Sequence, residues 1–249
     1  MKYENFIITG AASGLGKSLA KKLLADGKNV IGIDQDKIEI NSDNLSGNLK
    51  TIIFDLKNYE KIDQILDTNE IQKIDCLINC AGYETAGFVD DLPLKEIIRN
   101  FNVNTMAPIA LTKFLLPILK KNKACVINVI SAMATIGVPG RLAYCMSKSA
   151  LQMFSNVSRA EFKYFGIKVI TIYPEVMETP FWDKVAYYGR IQAAKMNDPR
   201  KRKNPDTVAD EVIKTINKKK SFLWRLSIWL FVSHLVVLYR CQRTVSWIF

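Results

Sequence analysis

A single histidine occurs in the 249 residues, and His234 lies in an apolar stretch near the end, where it reads as a packed or interfacial residue rather than a catalyst. Five cysteines, Cys76, Cys80, Cys125, Cys145 and Cys241, fall mostly in apolar stretches. None has a metal-ligand spacing, which excludes a structural metal site and leaves reduced core thiols. Room for a signal peptide is also lacking, because Met1-Lys2-Tyr3-Glu4-Asn5 runs straight into the apolar residues 6–8; a cytosolic protein is expected. No internal repeat or low-complexity linker divides the chain, so one sizeable core with a tail is expected. Helix-turn-helix, zinc-finger and aromatic RNA-binding signatures are absent, so the net charge of +11 is not read as a nucleic-acid footprint. Its location matters more: residues 190–249 hold thirteen Lys/Arg and four Asp/Glu, a local excess of +9. A basic stripe before a hydrophobic tail fits an anionic membrane surface better than DNA.

What is present is alternation. Short apolar runs at 6–9, 30–34, 51–55, 75–79, 125–131 and 168–173 have strand length, and amphipathic stretches at 17–25, 59–66, 94–121 and 142–164 separate them. Buried-looking strands joined through helices give right-handed crossovers and a doubly wound parallel sheet with helices on both faces, the α/β class. A further helix is expected over 206–217.

The first strand ends in Thr9-Gly10-Ala11-Ala12-Ser13-Gly14-Leu15-Gly16, and a helix opens there. Glycines allow a tight turn, let the backbone approach a pyrophosphate and aim amide N–H groups and the positive helix end at phosphate. Dinucleotide binding is therefore expected. Eighteen residues after Gly16 the second strand ends at Asp34. A carboxylate there accepts both ribose hydroxyls of NAD and repels the extra phosphate of NADP, and neither Ser13 nor Gln35 supplies a cation. NAD(H) is the preferred cofactor, with NADP(H) as the alternative.

Tyr144-Cys145-Met146-Ser147-Lys148 places a phenol and an ammonium four residues apart, on one helix face. A positive charge beside a phenol favours the phenolate and pulls its pKa down from about 10, which would suit Tyr144 as a general acid/base. Pro108 lacks an N–H, so the carbonyl of Asn104 loses its usual helical partner and the helix should bend there.

Taken together and in order, Thr9-Gly10-x-x-x-Gly14-x-Gly16, Asn79-Cys80-Ala81-Gly82, Asn104, Ser131 and Tyr144-x-x-x-Lys148 resemble the short-chain dehydrogenase/reductase family in its roughly 250-residue form. The resemblance implies a Rossmann-type fold and hydride transfer between a nicotinamide and a carbonyl or alcohol carbon. It implies a catalytic set of Asn104, Ser131, Tyr144 and Lys148. Tyr144 would protonate the alkoxide, Lys148 would lower its pKa and hold the nicotinamide ribose, and Ser131 would bond the substrate oxygen. The Asn104 carbonyl would hold a water that leads protons away; the bend at Pro108 either keeps that carbonyl free for the water or serves packing alone. Implied cofactor contacts are Thr9, Gly10, Ser13, Gly14, Leu15, Gly16 and Asp34, then Asp55 near the adenine and Leu56, then Asn79, Ala81, Gly82, Tyr144, Lys148, Pro174 and Thr179. Pro174-Glu175 departs from the family's Pro-Gly, and a carboxylate would sit near the nicotinamide.

Residues 179–204 form the segment expected to close over substrate, and Phe181, Trp182, Tyr187 and Tyr188 suit an apolar one. Residues 128–142 and 165–180 resemble steroid- and retinol-type members. The expected substrate is a hydrophobic, lipid-like ketone or secondary alcohol; alternatives are a 3-oxoacyl or sphingoid ketone reduced with NADPH, or a catalytically idle dinucleotide-binding scaffold. A homo-oligomer is expected. The dehydrogenase domain is placed at 1–220 and a hydrophobic segment at 221–249. Residues 222–239 hold fourteen apolar residues with Arg225, Ser227, Ser233 and His234 among them. That is short of the about 20 that span a bilayer, and fits an interfacial anchor on the cytosolic face or an interface helix. Residues 222–224 are an alternative seventh strand.

Overall fold

A computed structural model describes residues 3–41, 45–66, 71, 73–193 and 202–217. Eight strands follow in chain order: Asn5–Thr9 (β1), Asn29–Asp34 (β2), Leu49–Ile53 (β3), Cys76–Asn79 (β4), Thr85–Ala86 (β5), Cys125–Val129 (β6), Lys168–Ile172 (β7) and Ala186–Tyr187 (β8). Six of them form one parallel sheet in the order β3-β2-β1-β4-β6-β7. The order reverses between β1 and β4, and the carboxyl ends of the strands there open the crevice in which such sheets hold ligands. All six runs expected from the sequence are in this sheet. The two-residue strands β5 and β8 make a separate parallel pair.

The helices of the described residues are Gly14–Ala25 (α1), Leu94–Phe101 (α2), Ala107–Asn122 (α3), Leu142–Lys163 (α4), the single turn Arg190–Ala193 (α5) and Pro205–Asn217 (α6), of which α1, α3, α4 and α6 cover the sheet. Alternate residues of the central strands feed two cores, because successive strand side chains point to opposite faces. Phe6, Ile8 and Ile78 pack with Leu19 and Leu23 of α1 and with Val208 and Val212 of α6. Ile7, Leu77 and Val126 meet Leu111, Leu115 and Leu119 of α3 and Phe162 of α4 on the other face. β4 and β6 are buried at every residue, as expected of strands covered on both faces.

Two expected helices differ from their pattern. The stretch expected as one helix over 94–121 is α2, a π-helical turn Asn102–Met106, and α3. Pro108 has no N–H to continue the α-helical ladder, and the wider turn lies directly before it. The 59–66 stretch is a kinked 3-10 run, Leu56–Gln64, with non-helical backbone at Asn58 and Lys61. The hydrophobic segment 221–249, the alternative strand at 222–224 and Cys241 lie outside the described residues. Among the described residues no helix is long and apolar enough to cross a membrane.

At the amino ends of the central strands β1 and β4, away from the crevice, the Asp75 carboxylate accepts from the Glu4 and Asn5 backbone N–H groups at 3.0 and 2.9 Å and from Asn5 Nδ2 at 2.9 Å. Burial raises its pKa, but these three bonds, with Lys73, outweigh it and leave Asp75 below its ordinary value. A group depressed in the folded state contributes stability above its unfolded pKa and loses it as pH falls through the folded one. Asp75→Ala is expected to cost about 2–4 kcal/mol at pH 7, with the gap to wild type closing below about pH 4. Urea melts across that range check it; a gap that persists well below that pH would exclude the charge as its source.

Candidate active site

The glycine loop between β1 and α1 is built by close approach. Gly10 has φ +73°, and a Cβ there would lie 2.9 Å from the Ala81 Cα. A Cβ on Gly16 would run into the Gly10 carbonyl, so the start of α1 can press on the loop only without a side chain. A Cβ on Gly14 would meet Thr179 Cγ2 at 3.1 Å, which places Thr179 against the loop from the other side. Thr9 Oγ1 accepts from the Cys80 and Ala81 N–H groups at 3.0 and 3.1 Å and so joins the ends of β1 and β4.

Ser13 is the N-cap of α1 but makes no capping bond, and the first turn carries no acid. The early N–H groups of this helix, at the carboxyl end of β1, are thus not taken by the Ser13 side chain. A pyrophosphate fits this cradle: small residues line it, backbone donors are aimed into it, and no carboxylate in the first turn repels the ligand. Asp34 ends β2, and its Oδ2 accepts from the Ala12 N–H at 2.9 Å, so this carboxylate also braces the loop. Asp55 caps the 3-10 run by accepting from the Lys57 N–H at 3.0 Å. Burial works to raise its pKa; the Lys57 bonds and the nearby Arg99 outweigh it, and the group lies below its ordinary value. Leu56 beside it is buried.

The chemistry-bearing residues come from three parts of the chain. Tyr144 and Lys148 lie one turn apart near the start of α4, both enclosed, at 8% and 3% exposure. Ser131 follows β6, accepts from the Met133 N–H at 3.2 Å and hydrogen-bonds the Tyr144 phenol. Asn104, in the π-helical turn, is fully buried. Its Nδ2 donates to the Tyr83 carbonyl at 2.8 Å and to Ser147 Oγ at 2.9 Å, and its Oδ1 accepts from the Tyr83 N–H at 2.8 Å. Ser147 Oγ in turn donates to the Tyr144 carbonyl at 2.9 Å, so Asn104 fastens the loop after β4 to α4. Gly82 lies between: a Cβ there would be 3.8 Å from both Asn104 Oδ1 and Lys148 Nζ and 3.5 Å from Phe181. The Phe181 ring stands 6.2 Å from that of Tyr144.

Asn79, at the end of β4, works inside the sheet: its Nδ2 donates to Asn128 Oδ1 at 2.8 Å, and Asn128 donates on to Ser155 Oγ at 2.8 Å.

Two expectations about charge are corrected. The Tyr144 phenol is pushed above its ordinary value, chiefly by burial and then by the Glu84 carboxylate, with the Ser131 bond and Arg141 pulling the other way. Lys148, whose ammonium donates to the Val129 carbonyl at 3.0 Å and stands 5.8 Å from the phenol ring centre, does not outweigh that burial. Burial pushes Lys148 itself down to about 8. Glu175, expected beside the nicotinamide, turns outward and pairs with Lys203 at 2.9 Å, where both side chains reach solvent.

The segment after β7 lies over this site. Trp182 Nε1 donates to the Met177 carbonyl at 2.9 Å, Phe181 and Trp182 meet edge to face, and β8 pairs with β5. Sequence reasoning missed Tyr83, Glu84, Arg141 and Ser147. A buried Glu84–Arg141 ion pair spans 57 positions and leaves no local pattern; Ser147, between Tyr144 and Lys148, gives no sign in the sequence that it faces Asn104.

Residues 4–187 match the family model described as short chain dehydrogenase. The chain is 33% identical over 230 residues to 3-oxoacyl-acyl-carrier-protein reductase of Buchnera aphidicola, covering 88% of this chain and 92% of the relative. It is 26% identical to 3-ketodihydrosphingosine reductase of Dictyostelium discoideum, over 87% of this chain and 72% of the relative. The solved structure of 4-hydroxyisoleucine dehydrogenase complexed with NADH superposes with a TM-score of 0.70 at 26% identity, covering 88% of this chain and 93% of the other. With its parallel sheet, glycine loop and Tyr-x-x-x-Lys helix, the chain belongs to the short-chain dehydrogenase/reductase family of oxidoreductases.

Proposed function

We propose that the protein is an NAD(H)-dependent oxidoreductase that interconverts a hydrophobic ketone and the corresponding secondary alcohol, with Asn104, Ser131, Tyr144 and Lys148 as its catalytic set. The observation that carries this reading is the convergence of these four residues at the crevice, beside a phosphate cradle and beneath Phe181. Gly10, Gly14, Leu15 and Gly16 would hold the pyrophosphate, and Asp34 the adenosine ribose. Lys148, near Gly82, would bond the nicotinamide ribose, with Thr179 near the carboxamide. The bound nicotinamide supplies or accepts the hydride. A substrate oxygen between Ser131 and Tyr144 would take a hydrogen bond from the Ser131 hydroxyl, which stabilises charge that grows in the transition state. Tyr144, held protonated by burial, donates its proton to the alkoxide, and Lys148, cationic below its lowered pKa of about 8, steadies the phenolate left behind.

The aromatic lid residues Phe181 and Trp182 support an apolar substrate. The names of two relatives favour a second reading, reduction of a 3-oxoacyl or sphingoid ketone with NADPH. One assay separates them: spectrophotometric oxidation of NADH and of NADPH against steroid, retinoid, 3-oxoacyl and sphingoid ketones. Asp34 predicts kcat/KM at least about tenfold higher with NADH, because a 2′-phosphate would be brought against a carboxylate already bonded to the loop. Asp34→Ala should narrow that ratio. A strong NADPH preference in the wild type would overturn the cofactor assignment.

A further inference from the structure

Two buried charges beside Tyr144 have no part in the reaction proposed above. Glu84 and Arg141 are 2% and 6% exposed, and Arg141 Nη1 donates to Glu84 Oε1 at 2.6 Å. Their positions join separate parts of the site. Glu84 follows Tyr83, the residue whose N–H and C=O are both bonded by Asn104. Arg141 is the N-cap of α4, one turn before Tyr144, and its carbonyl accepts from the Cys145 N–H at 2.9 Å. Beside the pair, the Gly140 carbonyl accepts from the Gly87 N–H at 3.0 Å. The guanidinium also stands 5.7 Å from the ring centre of Tyr187 on β8, so the lid rests on the same group.

We propose that Glu84 and Arg141 are positioning residues for Tyr144: their buried ion pair fixes the head of α4 to the loop that Asn104 holds, and keeps a carboxylate close to the phenol. The inference rests on the oxidoreductase reading above. Residues facing the phenol come from three sides: Glu84 from the loop after β4, Ser131 from the end of β6, and Arg141, Cys145 and Lys148 from α4. Among them Glu84 opposes ionisation more strongly than Arg141 favours it. Glu84 also favours the charged form of Lys148. The pair therefore adds to burial in holding Tyr144 protonated and works against burial in holding Lys148 cationic, which is the pairing that carbonyl reduction requires. A neutral residue at 84 would strand the Arg141 cation near the phenol, favouring the phenolate, and would take from Lys148 a carboxylate that favours its charged form.

The test is the pH profile of ketone reduction in wild type, Glu84→Gln, the double variant Glu84→Gln/Arg141→Gln, and Glu84→Asp, using the ketone of the panel above that wild type reduces fastest. The alkaline limb is set by Lys148, lowered to about 8, whose proton leaves before that of the raised Tyr144, and Glu84 favours the charged form of Lys148. That limb is expected to move about one pH unit toward acid in Glu84→Gln. The double variant should lie between Glu84→Gln and wild type, and Glu84→Asp should stay near wild type. Thermal melting without substrate gives an independent readout: the double variant, with no stranded charge, should melt above Glu84→Gln. An unmoved limb in Glu84→Gln, or equal shifts in the single and double variants, overturns the inference while leaving the oxidoreductase reading in place. Absence of turnover by wild type across the whole panel overturns both.

Discussion

Tyr144→Phe is expected to lower ketone reduction by about two to four orders of magnitude, the usual contribution of a positioned general acid, while NADH binding stays near that of wild type. The phenol is enclosed at 8% exposure and bonded to Ser131, so the substitution removes one proton donor at the reacting oxygen and little else. The ring itself remains: Phe keeps the packing against Phe181, and Ser131 keeps the Met133 N–H. Lys148 is held by the Val129 carbonyl independently of the phenol, so its place beside Gly82 is unchanged. The loss should therefore fall on kcat. Fluorescence titration with NADH, paired with turnover, checks the split. Retained turnover would remove Tyr144 from its role, and lost NADH binding would make its part structural.

Gly16→Ala should act at the other end of the crevice and on a different quantity. One methyl group at this position meets the Gly10 carbonyl, with the Gly10 carbonyl carbon at 2.6 Å and the Ala11 nitrogen at 3.3 Å behind it. All of these are backbone atoms, so no side chain can swing aside. Either α1 lifts from the end of β1 or the loop is pushed outward. Leu15, Leu19 and Leu23 anchor α1 in the core, so the loop gives way and its N–H groups leave the geometry that suits a pyrophosphate. Overpacking of this kind costs about 1–3 kcal/mol of stability. NADH affinity is expected to fall about tenfold or more beyond what the lost stability would explain, because the displaced donors are the ones proposed to hold the phosphates. Calorimetric NADH titration beside a thermal melt separates the two. A Gly16→Ala variant that binds NADH like wild type would show that the loop does not close on the ligand as described.

Much of the architecture is legible in the residues, and the parts that are not share a physical cause. Strands such as Cys76–Asn79 and Cys125–Val129 announce themselves because both faces are buried, which demands unbroken apolar runs. Gly10 and Gly16 stand out because no other residue fits their surroundings. Pro108 signals that the long helix cannot pass unaltered, though not that the alteration is a π-helical turn carrying Asn104. Two-residue strands such as Thr85–Ala86 are too short to show any period, and the partner of Thr85 is Ala186, far along the chain.

Charge is the least legible quantity. Tyr144 and Lys148 share a helix face, as their spacing indicates, yet the sequence does not reveal that Lys148 donates to the Val129 carbonyl or that the phenol is enclosed and opposed by Glu84. Spacing along a helix gives proximity. The sign of a pKa shift depends on burial and on partners brought in by the fold, here Glu84 and Arg141 from places 57 residues apart. Glu175 makes the same point in reverse: its chain position suggests the nicotinamide, and Lys203 draws it outward.

The central claim is hydride transfer at a carbon whose oxygen lies between Ser131 and Tyr144. Its most direct test uses NADH carrying deuterium at the transferring position of C4, incubated with wild-type protein and the best ketone of the panel, with the product examined by mass spectrometry and NMR. One deuterium on the carbinol carbon, formed by wild type and reduced about a hundredfold or more in Tyr144→Phe, is the result predicted. Tight NADH binding with no deuterium in any alcohol product would contradict the account and make the protein a dinucleotide-binding scaffold.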